Sequence, residues 1–221
     1  MDDLKIKKPL VIISGATGVG KSRLSCLLAE KISGEVISAD SMQVYKGFDI
    51  GTAKITKEEM SGIPHHLIDI LEPDCEFNIY LFRKLAMEAM DKIYANGHIP
   101  IIAGGTGFYI QALLYDVQFC DESNDRSYRE YLEHEASEGR ADKLYNMLKE
   151  TDPDSADAIH PNNIKRVIRA LEYYKETGEP ISRHNEKQHH NRSPYNFAYF
   201  VLNRDRSDIY DRINRDRKSV V

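Results

Sequence analysis

A glycine-rich stretch near the amino terminus contains the residue types that hold phosphate. Residues 15–22 fit the pattern GxxxxGK[ST]. In this pattern the glycines let backbone N–H groups close around phosphate oxygens, Lys21 supplies a positive charge, and the Ser22 hydroxyl can ligate Mg²⁺. The predicted phosphate-binding residues are Gly15, Ala16, Thr17, Gly18, Val19, Gly20, Lys21 and Ser22. The alternative for such a stretch is a tight turn that binds no ligand.

An aspartate after an apolar run is the second candidate for chemistry. Asp40 follows the run Glu35–Ala39, and Asp69 is a weaker candidate. The carboxyl ends of parallel strands form the edge at which ligands bind, so Asp40 could hold a metal through water or act as a general base. An isolated aspartate more often forms a turn or caps a helix, and that alternative stays open.

The order of apolar runs and helical patterns predicts the fold that would position these residues. Runs rich in Val and Ile predict strands at Leu10–Ser14, Glu35–Ala39, His66–Leu71, Ile99–Ala103 and Phe197–Leu202. Helical periodicity predicts helices at Lys21–Ile32, Ile79–Asn96 with Asn78 as its N-cap and Gly97 as its stop, and Gly107–Tyr115. This alternation is typical of an α/β fold, here a P-loop parallel sheet flanked by helices.

The sequence between residues 121 and 194 departs from this alternation. Residues 121–177 show helical periodicity only, in about three segments that include Tyr128–Glu138 and Asn162–Thr177. Glu179–Tyr195 contains two prolines and is predicted to be a loop. We therefore predict two parts, a core of residues 1–120 and 195–221 and a helical insertion of residues 121–194.

Composition favours a soluble chain of one domain with an insertion. Of 221 residues, 41% are apolar and 29% are charged. The apolar stretch Pro9–Ile13 is too short for a signal peptide or a membrane span, so we expect a cytoplasmic location and no membrane partner. Cys26, Cys75 and Cys120 lack metal-ligand spacing and are expected to be reduced thiols. The favoured oligomeric state is a monomer.

Charge is unevenly distributed along the chain. The net charge of −5 argues against indiscriminate nucleic-acid binding. Residues 160–192, however, contain seven Lys or Arg against four acidic residues, and Lys165, Arg166 and Arg169 lie within about one helical turn. This region could face phosphate groups. The alternative is an ordinary solvated helix face.

Six sequence blocks occur in a fixed order: Gly15–Ser22, Ser38–Tyr45, Asp49–Lys54, Pro64–Asp69, Gly104–Tyr109 and His160–Glu172. Together they resemble the tRNA dimethylallyltransferase family, also called isopentenyl-tRNA transferases, from about residue 8 to about residue 214. The resemblance implies that the P-loop holds the diphosphate of dimethylallyl diphosphate with Mg²⁺. It also implies tRNA as the partner, with the exocyclic amine of the adenine 3′ of the anticodon as the acceptor.

The same resemblance implies roles for individual residues. Asp40 would take the proton from the attacking amine, and Thr106 would line the channel between the tRNA side and the prenyl side, so these two are the predicted catalytic residues. The target adenine would be flipped out of the anticodon loop. The implied tRNA-binding residues are Asp40, Ser41, Met42, Gln43, Thr106, Arg129, Lys165, Arg166 and Arg169.

The sequence departs from the family at its end, and two alternatives stay open. Family members continue past residue 221, so the resemblance implies a C-terminally truncated chain. A family pattern Arg-Ile-x-x-Arg-Val begins at Arg212 but has Asp216 where a diphosphate-contacting arginine is expected. One alternative is a small-molecule kinase that uses ATP, although Ile99–Ala103 lacks the strand-end aspartate typical of that class. The other is a tRNA-binding or nucleotide-binding fragment with impaired catalysis.

Overall fold

The computed structural model describes residues 7–115, 126–189 and 192–218. The chain divides into two compact units, one of residues 1–117 with 193–221 and the other of residues 118–192. Within the described ranges, the helices are all too short or too polar to cross a membrane.

Five parallel strands form the sheet of the first unit. The strands are β1 Lys8–Gly15, β2 Gly34–Ser38, β3 His65–His66, β4 Ile99–Gly104 and β5 Tyr195–Leu202. Their spatial order is β3-β2-β4-β1-β5, and every pairing is parallel. The three central strands β2, β4 and β1 are largely buried because helices cover both of their faces. The predicted α/β fold is therefore confirmed.

Four helices belong to the same unit ahead of the insertion, namely α1 Lys21–Ile32, α2 Lys57–Met60, α3 Ile79–Ala95 and α4 Gly107–Leu114. Helices α3 and α4 pack on one face of the sheet, where Phe82 and Ile110 join Ile102 of β4 in one buried cluster. Helix α1 covers the other face, where Ala29 packs with Ile101. Alternate residues of one strand thus enter opposite cores.

Local signals in the sequence located most of these elements. The Asn78 side chain accepts a hydrogen bond from the Leu81 N–H at 3.0 Å, so the predicted cap of α3 is confirmed. The short helix α2 was not predicted, although its capping box is visible in the sequence: Thr56 and Glu59 each accept a hydrogen bond from the other's backbone N–H.

The predicted strand at His66–Leu71 is wrong beyond its first residue. Strand β3 ends at His66, and Leu67 and Asp69 have φ values of 62° and 54°, in the left-handed region. The chain turns there because its backbone bonds to a distant segment: Asp69 N–H donates to the Gln43 carbonyl at 3.2 Å, and Ile70 N–H to the Val44 carbonyl at 2.9 Å. The apolar residues at positions 67–71 do not by themselves distinguish a segment that bonds to residues 43 and 44 from a strand of the main sheet.

The second unit is helical. Its described helices are α5 Ser127–Ser137, α6 Ala141–Thr151, α7 Pro153–Ala158, α8 Ile164–Thr177 and α9 Ile181–His189. Leu132, Leu144, Val167 and Leu171 are among the buried residues of its core. The described part of this range, residues 126–177, therefore contains four helices, where about three were expected for residues 121–177.

The predicted loop at Glu179–Tyr195 is also wrong, because most of it forms helix α9. The buried carboxylate of Asp152 accepts a hydrogen bond from the Ser182 N–H at 3.0 Å and so holds the first turn of this helix. The same carboxylate accepts the Ser155 N–H at 3.1 Å and the Ser155 hydroxyl at 2.7 Å. The group that starts α9 lies thirty residues away in the sequence, so no local pattern indicates it.

A buried carboxylate joins three strands at the end of the sheet opposite the P-loop. Glu35 of β2 is hydrogen-bonded to His66 Nε2 of β3 at 2.6 Å and to His98 Nδ1, just before β4, at 2.7 Å. Burial alone would raise the pKa of Glu35, but the hydrogen bonds with His98 and His66 outweigh it and hold that pKa below its usual value. This cluster therefore supports the sheet at a distance from the candidate chemistry.

Strand β5 differs from the central strands in its exposure. It forms one edge of the sheet, and its side chains are exposed on both faces, from Phe197 at 37% to Val201 at 67%. Helix α10, Arg206–Lys218, follows it and reaches the P-loop. A Cβ atom added at Gly18 would lie 3.1 Å from Ile213 Cγ1, so α10 packs against the phosphate-binding turn.

Candidate active site

The P-loop has the strand and helix that its sequence pattern requires. Strand β1 ends at Gly15 and α1 begins at Lys21, with Gly20 at its N-cap at a φ of 109°, a conformation that favours glycine. Lys21 Nζ donates to the Gly15 and Ala16 carbonyls at 2.9 Å each. A lysine ammonium and the positive end of a twelve-residue helix therefore meet at one turn, which suits an anion.

Asp40 follows β2, and one of its oxygens has a structural role. Oδ1 accepts the Met42 N–H at 2.9 Å and the Gln43 N–H at 3.3 Å, so the turn-forming alternative is present in the structure. Within the described part of the chain, Oδ2 has no hydrogen-bond partner. Burial lowers the pKa of Lys21 and the Asp40 charge acts in the opposite direction, which places the two charges near each other. The turn thus engages only one of the two carboxylate oxygens of Asp40.

The residues after β4 lie between Asp40 and the P-loop. Thr106 N–H donates to the carbonyl of Ala39 at 3.4 Å, beside Asp40. On the other side, a Cβ atom added at Gly105 would lie 3.6 Å from the Gly15 carbonyl oxygen and 4.0 Å from Lys21 Nζ. Thr106 occupies the N-cap position of α4 without a side-chain cap bond. Three neighbouring strand ends therefore bring the P-loop, Asp40 and Thr106 together.

The turn after Asp40 presents its side chains unequally. The side-chain amide of Gln43 is engaged in hydrogen bonds within the protein, because its Nε2 donates to the Thr52 and Ala53 carbonyls at 3.3 Å each. Gln43 also lines a small cavity with Ser22, so the P-loop and this turn adjoin. Ser41 is half-buried, and Met42 is exposed at 43%. Of these three, Met42 is the side chain most open to a ligand.

Lys54 is a residue whose role the sequence did not reveal. Its side chain is only 5% exposed, and its ammonium group donates to Asp49 at 2.8 Å, to the Tyr45 carbonyl at 2.7 Å, and to Asp69. Burial would lower the pKa of Lys54, but the bonds to the two carboxylates outweigh it and raise the pKa. Asp69, the weaker metal candidate, is thus engaged in an ion pair.

The remaining predicted tRNA-binding residues lie in the second unit. On α8, Lys165 and Arg166 are exposed and Arg169 is half-buried, and none of the three forms an ion pair with a described carboxylate. Arg129 of α5 instead pairs with Glu133 at 3.0 Å and lies 3.9 Å from Glu172. These three basic residues lie on α8, and their binding of tRNA stays a prediction.

Metal-ligating side chains do not gather elsewhere in the described ranges, where no group of three His, Cys, Asp or Glu has ligand geometry. Cys26 is a buried free thiol and Cys75 an exposed one, while Cys120 lies outside the described residues. The Asp216 side chain, at the departure from the family pattern, also lies outside them.

Comparison with known proteins gives consistent matches along the chain. A family model described as IPP transferase matches residues 43–219, and one described as isopentenyl transferase matches residues 8–70. The tRNA dimethylallyltransferase of Lachnoclostridium phytofermentans is 58% identical over 94% of this chain and 66% of its own length. That of Alkaliphilus oremlandii is 48% identical over 95% of this chain and 66% of its own length. The chain thus spans just under two thirds of these relatives.

Solved structures resemble the chain as well. The full-length tRNA isopentenylpyrophosphate transferase of Bacillus halodurans is 46% identical with a TM-score of 0.63, and the match covers 95% of this chain and 65% of that one. A eukaryotic dimethylallyltransferase acting on tRNA is 34% identical with a TM-score of 0.81, and the match covers 96% of this chain and 54% of that one.

The close approach of β4 to β2 generates a test of how the site is held. A Cβ atom at Gly104 would lie 2.2 Å from the Ala39 carbonyl oxygen, whereas one at Gly105 would meet only ordinary contacts. We expect Gly104→Ala to lower the free energy of unfolding by at least about 1–3 kcal/mol, as overpacking does. The matched Gly105→Ala should stay within about 0.5 kcal/mol of the wild type. Urea unfolding measures both, and equal effects would contradict the close approach.

Proposed function

Because the chain belongs to the IPP transferase family, we propose that it transfers a dimethylallyl group from dimethylallyl diphosphate to the exocyclic amine of the adenine 3′ of the anticodon in tRNA. The observation that carries this proposal is the juxtaposition of an anion-binding loop, with Lys21, and a carboxylate with one unused oxygen, Asp40, at the ends of two strands that flank β4. The names of the matched relatives support it, since they act on tRNA.

The P-loop would stabilise the leaving group. As the allylic C–O bond breaks, negative charge builds on the diphosphate, and Lys21 with the loop N–H groups lies where such charge is neutralised. The Ser22 hydroxyl, exposed at the start of α1, is a hard oxygen donor that fits Mg²⁺ and would hold it together with diphosphate oxygens. That metal, when bound, would supply further neutralisation of the diphosphate.

Asp40 would act on the acceptor. The adenine nitrogen forms a bond to the allylic carbon as the C–O bond breaks, and its excess proton passes to the carboxylate. Oδ1 stays bonded to the Met42 and Gln43 N–H groups, so Oδ2 is the oxygen that receives the proton. Thr106, beside Asp40, would line the passage through which the flipped adenine and the prenyl group meet.

Phosphate contacts to tRNA would come mainly from α8, through Lys165, Arg166 and Arg169. Lys165 and Arg166 are exposed, Arg169 is half-buried, and none of them has a carboxylate partner in the described ranges, so their charges would be available to the RNA backbone. A tRNA substrate fits a cytoplasmic location, and a monomer is the proposed state. The small-molecule kinase alternative is not favoured, because the matched families transfer isopentenyl groups.

Ligand-induced stabilisation tests the proposed donor. We expect dimethylallyl diphosphate with Mg²⁺ to raise the Tm of this chain more than ATP with Mg²⁺ does, because stabilisation follows the ligand concentration relative to its Kd. Lys21→Ala should abolish the shift, while Lys31→Ala, an exposed lysine at the far end of α1, should keep it. A larger shift with ATP, together with phosphate transfer to a small molecule without tRNA, would refute the assignment.

A second test separates the two oxygens of Asp40. Asp40→Asn keeps an Oδ1 acceptor for the turn but removes the base, so single-turnover prenylation should slow by about 10²- to 10⁴-fold with tRNA affinity nearly unchanged. Asp91→Asn, at an exposed carboxylate of α3, is the control and should react at the wild-type rate. A wild-type rate for Asp40→Asn would exclude the general-base role.

A third test concerns the basic face of α8. The Arg166→Ala/Arg169→Ala double variant should bind tRNA more weakly, and the slope of log Kd against log salt should flatten by about 0.7–0.9 for each phosphate that is no longer neutralised. Lys149→Ala, at an exposed lysine of α6, is the matched control. If the double variant kept the wild-type slope, these arginines would form an ordinary solvated face.

A further inference from the structure

Four large apolar side chains are exposed on the two segments next to the Asp40 turn. Met42, Phe48, Ile50 and Ile70 have exposures of 43%, 38%, 68% and 42%. Lys46 N–H donates to the Leu71 carbonyl at 2.9 Å, one of the bonds that tie residues 43–46 to residues 69–71. The loop that carries Phe48 and Ile50 is joined to the same turn, because Gln43 Nε2 donates to the Thr52 carbonyl at 3.3 Å. Apolar groups that are exposed together on such linked loops mark an interaction surface. Met42, Phe48 and Ile50 are named the apolar platform below.

The platform is rigidly supported from the core. The Phe48 ring lies 5.6 Å from the Tyr45 ring, Tyr45 lies 6.5 Å from Phe77, and Phe77 lies 5.8 Å from Tyr109. Tyr109 stacks on the fully buried Phe82 at 4.5 Å. Five rings in series thus connect an exposed side chain to the interior. A surface held in this way loses little conformational entropy when a ligand binds.

A buried cation fixes the loop that carries Phe48 and Ile50. The Lys54 ammonium joins Asp49, Asp69 and the Tyr45 carbonyl. In addition, the Thr52 hydroxyl donates to the Phe48 carbonyl, and Ala53 N–H donates to the Ile50 carbonyl at 3.3 Å. The loop is therefore closed by its own bonds before any partner arrives.

Charge pairing indicates what kind of group the platform accepts. Lys54 is paired with Asp49 and Asp69, and Lys46 is paired with Glu72. These cations are already neutralised, so the platform does not favour phosphate. Apolar and aromatic side chains without free charge match the flat, uncharged faces of nucleobases.

We propose that Met42, Phe48 and Ile50 form a stacking surface for an unpaired base adjacent to the target adenine in the anticodon loop. Flipping the adenine removes a stacking neighbour from the loop, and the platform, which continues from the Asp40 turn, replaces it. The inference rests on the proposed function and adds a base contact to the phosphate contacts of α8. The platform positions the RNA and takes no part in proton transfer.

Substitutions at the platform test this role with a short RNA hairpin whose loop carries the target adenine. Phe48→Ala and Ile50→Ala should each raise the Kd by about 5- to 100-fold, the range that removal of a base-stacking partner produces. The salt dependence of the Kd should stay unchanged, because the phosphate contacts are all retained. Phe48→Tyr, which keeps an aromatic ring at this position, should bind with nearly the affinity of the wild type. Tyr80→Ala, at a 44% exposed aromatic residue of α3, is the control and should bind as the wild type does.

An abasic hairpin makes the test independent of variant stability. When the nucleotides flanking the adenine lack bases, the wild type should bind more weakly and the difference between it and Phe48→Ala should disappear. A penalty that persists on abasic RNA, or unchanged affinity of both platform variants, would overturn the inference and leave a protein partner as the occupant to consider. Failure of the wild-type chain to bind any hairpin would instead refute the proposed function, and the inference with it.

Discussion

The contact between the end of strand β4 and the end of strand β2 is the constraint on which the candidate site depends. Gly104 leaves room for the Ala39 carbonyl, and the Ala39 N–H donates to the Ala103 carbonyl at 2.8 Å while its carbonyl accepts from Thr106. This interlock fixes the backbone on both sides of Asp40. Because β4 also pairs with β1, the same contact sets the distance between the carboxylate and the P-loop. The position of Asp40 relative to the P-loop thus depends on residue 104 being a glycine, which has no side chain.

The elements that were predicted well from the sequence are those indicated by residues within or next to the element itself. The P-loop pattern with an apolar run before it identified β1 and α1, and Asn78 identified the start of α3. The family resemblance was confirmed by the family match and by relatives of 58% and 48% identity. Of the predicted site, the P-loop follows β1 and Asp40 follows β2, on either side of β4, while their functional roles stay predictions.

The elements that sequence missed depend on partners far along the chain. Helix α9 begins where the Asp152 carboxylate holds it, and the segment after His66 bends to bond with residues 43 and 44. Lys54 was identified from the sequence only as the last residue of one sequence block. Its ion pair with Asp69 was not predicted, because the two residues lie 15 positions apart. Similarly, Phe48 and Ile50 are exposed on a loop that is closed by its own hydrogen bonds, which their residue types do not indicate.

The exposed edge strand has a consequence for how the protein folds in a cell. Strand β5 pairs in parallel with β1, from Lys8 opposite Tyr195 to Gly15 opposite Leu202, so the P-loop strand gains this neighbour only after synthesis has passed residue 202. Residues 195–202 contain no charge and no proline, the composition of a segment prone to intermolecular β-pairing, while Pro194 precedes the segment and Arg204 and Asp205 follow it as protective residues. Until β1 pairs with it, this segment is an unpaired strand, so pairing with β1 and association with other chains compete during folding.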